Sequence, residues 1–240
     1  ALYVALTGSG EIVKLSLPGM AEQYRVRLPI GPYFNSQLQA RSIAVSPTEP
    51  DVLAVSTYDP WASGINRQVI LIRAGVIQAQ TVGGASSPIF IGPIAFDGSG
   101  TTVYGYDSYS SAAALYALSV RQDGLALVGQ SSIQMGFAVR DVDWISRGVV
   151  VNSGVYRSSD LALLGAVSSG NCRAHSVANR LICLTPDGGG IDVIDATSFA
   201  TLATQSLGSM GTSAASAVVP GAAGQVVIRF GSSSPTQPAT

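Results

Sequence analysis

Four short runs in one stretch decide the fold: GPIAF (92–96), TTVYGYD (101–107), AALYALSV (113–120) and GLALVGQS (124–131). Each is rich in β-branched, aromatic or small apolar residues. They are separated by Asp97-Gly98-Ser99-Gly100, by a polar loop and by Arg121-Gln122-Asp123. Runs of this length bounded by turn-forming residues read as antiparallel strands joined by tight connections. Residues 112–118, taken alone, have the alanine and leucine content of a helix, but their place in the series makes them a third strand.

Working outward, the same phrase recurs. Upstream it reads RSIAVS (41–46), DVLAVST (51–57), RQVILIR (67–73) and GVIQAQTV (75–82). Downstream a more compact unit begins at Val139 and ends near Val167, and a further one runs from Arg173 through residues 181–185, 190–195 and 199–207. Ile43, Ile94, Val142 and Ala174 occupy corresponding first-strand positions, spaced by 51, 48 and 32 residues. Variation of that size belongs in loops. A four-stranded sheet with two apolar faces cannot stand alone in water, and radial packing of such sheets buries both faces while leaving only short edges. The expected fold is therefore all-β, a β-propeller of four-stranded antiparallel blades with about five blades' worth of strands. A β-sandwich also uses many short strands, but it does not require one phrase four times.

The ends bear on closure. Residues 2–6, 11–17 and 24–29 read as strands two, three and four of a unit, and residues 213–219 and 225–230 as strands one and two of another. Either five blades close with one strand left over, or the chain is most of a larger ring. The second is preferred, because a bare strand at residue 2 is an exposed apolar edge. Residues 1–230 form the propeller domain on this reading, and the serine- and proline-rich residues 231–240 form a disordered linker or tail.

Of the 240 residues, 47% are apolar and 11% charged, enough for a core beneath a weakly charged surface. A net charge of -1 and a single lysine, Lys14, leave no basic stripe for phosphates, which argues against nucleic acid. No apolar run approaches the roughly 20 residues of a spanning helix, so no membrane insertion is expected. The two cysteines, Cys172 and Cys183, flank a short hairpin. A turn centred on Val177 and Ala178 sets them opposite each other in bridging reach, whereas a shift of one residue leaves two buried thiols. A bridge implies an oxidising compartment.

Leu2-Tyr3-Val4-Ala5 followed by residues 8–15, GSGEIVKL, resembles the repeat of bacterial YVTN-type β-propeller proteins, in which a tyrosine-valine strand precedes a small-residue turn. Residues 191–197, IDVIDAT, resemble the family's later strand with its isoleucine-aspartate pair. Residues 28–32 followed by residues 42–47 resemble its link between blades. The match is good over residues 1–57 and 181–207 and loose between them. The resemblance implies a seven-bladed ring, exported or displayed at a bacterial cell surface. Leu6 departs from the family's usual polar residue, and the fourth unit is short.

In such a connectivity the loops from strand two to three, and from strand four to the next strand one, share one face. They carry Tyr33, Phe34 and Asn35; Tyr58, Asp59 and Trp61; Asp107 and Tyr109; and Phe137 and Arg140. Aromatic rings beside amides and carboxylates suit protein or glycan surfaces, and single rings also serve to seal gaps between blades. The expected ligand face is built from these residues. Asp141, Asp143, Arg173 and His175 are candidates for a central channel. His175, the only histidine, lacks a framed nucleophile, so a structural role is the simpler reading. One histidine and two cysteines do not make a zinc set, and Asp187 with residues 188–190 lacks dense calcium-loop spacing. No metal or cofactor is expected. Gly8-Ser9-Gly10 and residues 188–190 open no helix and are turns.

The reading that follows is a non-enzymatic, secreted or surface-displayed module binding a protein or glycan. A structural subunit of an assembly, closed by self-association or additional blades, and a propeller enzyme with a channel site, such as a lactone hydrolase or quinone-dependent oxidoreductase, are the alternatives.

Overall fold

In the computed structural model every strand pairs with a near neighbour in sequence, so the short antiparallel ladders follow one another along the chain. The structure describes residues 1–31, 35–62, 66–84, 89–107, 113–133, 141–168, 172–175, 178–208, 215–220 and 226–230. They fall into two compact units, Ala1–Val142 and Asp143–Thr240.

The first unit opens with a three-stranded sheet of β1 (Leu2–Leu6), β2 (Glu11–Leu15) and β3 (Glu22–Arg27). The second sheet holds β4 (Gln39–Val45), β5 (Val52–Tyr58) and β6 (Asn66–Arg73), with β7 (Val76–Ile77) and β8 (Val82–Gly83) both paired to β6. The third is β9 (Ile91–Phe96), β10 (Thr102–Asp107), β11 (Ala114–Arg121) and β12 (Gly124–Ser132), in that order across the sheet. Residues 114–118 are thus strand, not helix: a buried middle position in the sheet outweighs local propensity.

The second sheet shows why the repeat demands stacking. Along β5 and β6 alternate side chains point to opposite faces. Leu53, Val55, Ile70 and Ile72 pack with Ile12, Val26 and Leu28 of the first sheet's region. Ala54, Val69 and Leu71 pack on the other side with Ile94, Val103, Tyr116 and Leu118. Both faces are dry, each fully buried aliphatic side chain contributing on the order of 2 kcal/mol.

One difference from the sequence reading lies at residues 75–82, expected as a single fourth strand. The segment divides because Gln80 turns to the neighbouring sheet, where its N–H donates to Asp123 O (2.8 Å) and its carbonyl accepts from Leu125 N (3.0 Å). Gln80 and Gly124 form a parallel bridge there.

The fourth sheet is β13 (Val142–Ile145), β14 (Gly148–Val151), β15 (Gly154–Arg157) and β16 (Leu163–Ala166). In the second unit there follow β17 (Cys172–His175), β18 (Arg180–Leu184), β19 (Gly190–Asp195) and β20 (Thr201–Ser206), then the pair β21 (Ala215–Pro220) and β22 (Val226–Phe230). Leu181 and Cys183 pack towards Ile145, Val150 and Val155, while Ile182 and Leu184 pack on the opposite face with Ile191. Cys172 and Cys183 are directly opposite in the ladder and form a disulfide. The second strands β14 and β18 are buried almost throughout, whereas β20 is exposed along its length. The tail, residues 231–240, lies outside the described residues.

Candidate functional site

Within the first unit, the loop from β3 to β4 runs between two other connections. Leu28 N donates to Gly10 O (2.8 Å) in the β1–β2 turn. Gly31 N donates to Ser36 O (2.7 Å) and Leu38 N to Pro29 O (3.1 Å), closing the loop on itself. At its far side Ser36 Oγ donates to Asp59 Oδ1 (2.7 Å), just beyond the end of β5. A strand-four-to-one loop and two strand-two-to-three connections therefore meet on one face.

Asp59 organises that meeting. It is 0% exposed. Its Oδ1 also accepts from Trp61 N (3.0 Å), and Ala62 N donates to Asp59 O (3.2 Å), so the turn is closed by its own carboxylate. Trp61 projects from this held turn with 76% of its surface in solvent. Among the described residues Asp59 Oδ2 has no hydrogen-bond partner although it is buried. Next to it, a Cβ on Gly31 would lie 3.0 Å from Asp59 Oδ2, 3.1 Å from Leu38 Cδ2 and 3.3 Å from Ser36 Oγ, so glycine lets the loop backbone pack closely against this latch. Tyr58 Oη donates to Gln39 Oε1 (2.9 Å), tying the strand end to β4.

The next blade repeats the arrangement at its start. Val55 pairs with Ile70, and Val103 with Leu118, so β5–β6 and β10–β11 superpose in register with a constant sequence offset. Tyr58-Asp59-Pro60-Trp61 then corresponds to Tyr106-Asp107-Ser108-Tyr109, a tyrosine-aspartate-x-aromatic signal that was present in the sequence and not read there as a repeat. Asp107 is 1% exposed. Burial, with Asp107's charge as the smaller cause, raises the Tyr116 phenol above its ordinary pKa. Asn35 is exposed with φ 49°. Tyr33, Phe34, Tyr109, Phe137 and Arg140 lie outside the described residues.

Of the channel candidates, two meet. Arg173 Nε on β17 lies 2.7 Å from Asp143 Oδ2 on β13, and its Nη2 donates to Oδ1 at 3.1 Å. Ala174 N adds a bond to Asp143 Oδ2 (2.9 Å), so one carboxylate fastens two first strands. His175 Nδ1 accepts from Ala178 N (3.2 Å), capping the turn before β18. Asp141 is exposed ahead of β13. Among the described residues no group of three or more His, Cys, Asp or Glu could hold a metal.

A cluster that sequence reading missed lies at the other end of the first two sheets. Lys14 Nζ pairs with Asp51 and sits 5.5 Å from the centre of the Tyr24 ring. Tyr3 Oη donates to Pro50 O (2.5 Å) and lies 3.4 Å from Asp51 Oδ1. Burial first, then the hydrogen bond with Tyr24, pushes the Tyr3 phenol far above its ordinary pKa. The Lys14 hydrogen bond holds the Asp51 carboxyl below the usual range. That Lys14 is the chain's one lysine was the available signal.

No protein-family model and no curated protein matches the chain. Solved structures do. The hydrazine synthase of Kuenenia stuttgartiensis matches with a TM-score of 0.59 at 16% identity, over 83% of this chain and 58% of that one. A protein of unknown function from Bacteroides caccae matches at 0.60 and 13% identity, over 94% and 81%. The WD40 repeats of RRP9 match at 0.60 and 16% identity, over 85% and 59%. The chain thus spans less than two thirds of the hydrazine synthase and RRP9 chains it matches. At these identities the likeness is one of fold. With the four-stranded antiparallel sheets it establishes a β-propeller with about five blades' worth of strands.

Proposed function

We propose that the chain is a non-enzymatic binding module that takes a protein or glycan ligand on the face carrying Trp61. The observation that carries this is a large aromatic ring, 76% exposed, on a turn held by a buried carboxylate. A turn fixed before contact loses little backbone freedom on binding, and tryptophan is among the residues enriched in strong binding anchors. Tyr33, Phe34, Asn35, Tyr58, Asp107, Tyr109, Phe137 and Arg140 belong to the same proposed face. The YVTN-type repeat, a seven-bladed ring and a propeller domain of residues 1–230 are parts of this reading, supported by the propeller fold and the Leu2–Leu6 and Gly190–Asp195 strands.

The disulfide supports secretion or display at a cell surface, since such bonds persist in oxidising compartments. The absence of catalysis is supported by how the channel candidates are used: Arg173 is engaged by Asp143, and His175 by a backbone N–H. The test compares parent and Trp61→Ala protein on an arrayed glycan library and on a displayed extracellular protein library. Ligands found with the parent should bind Trp61→Ala about tenfold or more weakly, a loss of about 1.4 kcal/mol or more, with an unchanged urea midpoint. Equal binding by the two proteins would refute the reading.

A further inference from the structure

Most turns of the first unit carry polar side chains: Thr7 and Ser9 after β1, Thr48 and Glu49 after β4, Asp97 and Ser99 after β9, Gln122 and Asp123 after β11. The turn from β2 to β3 is different. Its five exposed residues, Leu17-Pro18-Gly19-Met20-Ala21, include no polar side chain. Leu17 is 58% and Met20 50% exposed. Met20 has a φ of 54°, in the left-handed region where glycine or asparagine serves a turn at lower cost. A second apolar turn stands at the same end of the unit, where Val76 after β6 is 61% exposed. Packing holds the two turns side by side: a Cβ on Gly75 would lie 3.2 Å from the Tyr24 ring of β3, and Lys14 on β2 pairs with Asp51 just before β5.

Contiguous exposed apolar residues mark a contact surface, and shape, backbone and charge decide what covers this one. The residues protrude at turns and line no groove. Two turns fall far short of the roughly 20–30 residues a side of a stable protein interface, and their side chains offer none of the hydrogen bonds that such an interface uses. The backbone of the β2–β3 turn is closed on itself: Ser16 N donates to Ala21 O (2.8 Å), Met20 N to Ser16 O (2.8 Å) and Ala21 N to Ser16 Oγ (3.2 Å), while Pro18 has no N–H. Such a turn has few backbone groups to strip of water on entering an apolar medium, where nothing replaces their hydrogen bonds. The charges nearby are neutralised within the chain, Glu22 by Arg25 and Lys14 by Asp51. We propose that the Leu17–Ala21 turn, with Val76 beside it, docks this end of the unit on a zwitterionic lipid surface, entering as far as the headgroup boundary. No spanning segment is involved. Trp61 lies at the opposite end of the same two sheets, so docking leaves that ring in solvent, and the docking stands whether or not the ring is an anchor.

The experiment is sedimentation of the whole chain with phosphatidylcholine vesicles, and with vesicles containing added phosphatidylglycerol, at low and high salt. Half of the parent should bind at about 1–10 mM lipid, weaker than a single myristoyl chain provides. Added anionic lipid or salt should change this by no more than about twofold, since no net charge drives it. Met20→Asn suits the left-handed backbone and removes the apolar side chain, so it should keep the parent's urea midpoint and bind about fivefold or more weakly. Leu17→Ser should weaken binding to a similar degree, so the test does not hang on one variant's folding. An environment-sensitive fluorophore on Met20→Cys should shift to the blue on vesicles, and one on Ser9→Cys, in the turn at the opposite end, should not. The proposal is overturned if the parent stays in solution at about 10 mM lipid, or binds only anionic vesicles at low salt. It also fails if both folded variants bind as the parent does, or if only the fluorophore at Ser9 shifts. A dimer that is lost in Met20→Asn, without vesicle binding, would overturn it in favour of a second copy of the chain.

Discussion

Replacing Asp143 by alanine tests whether side-chain pairing between first strands, and not apolar stacking alone, holds β13 to β17. The carboxylate takes two contacts from Arg173, at 2.7 and 3.1 Å, and one from Ala174 N at 2.9 Å. Side-chain exposures of 18% for Asp143 and 25% for Arg173 put the pair between the exposed case, worth up to about 1 kcal/mol, and the fully buried one, where removing a partner costs about 3–5 kcal/mol. A cost of about 2–3 kcal/mol follows, since the substitution removes a charged partner from a partly buried guanidinium. The assay is urea unfolding of the parent, Asp143→Ala, Arg173→Ala and the double variant. The coupling energy from that cycle should be about 1 kcal/mol or more, because the residues touch directly. A coupling near zero, or a loss for Asp143→Ala within about 0.5 kcal/mol of the parent, would refute the clamp.

Gly124→Ala should lower stability by about 2 kcal/mol or more in the same unfolding assay, because its φ is +141° and a Cβ would stand 2.0 Å from Gln80 O; a loss below about 0.5 kcal/mol would show that the outer bridge yields. In acid, the Asp51 carboxyl, held below its ordinary range chiefly by the Lys14 hydrogen bond, contributes stability that is present above the unfolded pKa of about 3.9 and is lost as pH falls through the folded value. Asp51→Asn should therefore flatten the fall of the urea midpoint below about pH 4, and an unchanged acid limb would remove Asp51 from the cause.

Strand positions were largely legible because a strand buried between two sheets is a short, nearly continuous run of β-branched and apolar residues, cut off at each end by turn formers. Leu2–Leu6 and Gly190–Asp195 were read with their observed bounds. The cysteine pairing was legible for a similar reason: once the hairpin turn is centred, antiparallel register places Cys172 opposite Cys183. The division of residues 75–82 was not legible, since it depends on a hydrogen-bonded bridge to Gly124 in another sheet. The candidate site divides in the same way. Asp59 and Trp61 were singled out from the loop that contains them, but Ser36, which makes Asp59 a latch, enters from another connection. Asp143 and Arg173 were named as separate channel candidates, and nothing local to either one announces their pairing.

By itself the sequence determined the all-β character, the repeated four-strand unit and the places of its turns, since these follow from short apolar runs and turn chemistry within a few residues. Only the tertiary structure decided which polar groups meet: Lys14 with Asp51, Ser36 with Asp59, and Asp143 with Arg173. Those meetings depend on how each sheet is offset against the next, a distance of a few ångströms that residues far apart in the chain set jointly through packing. The same offset left Asp59 Oδ2 buried without a partner among the described residues, which composition could not have disclosed.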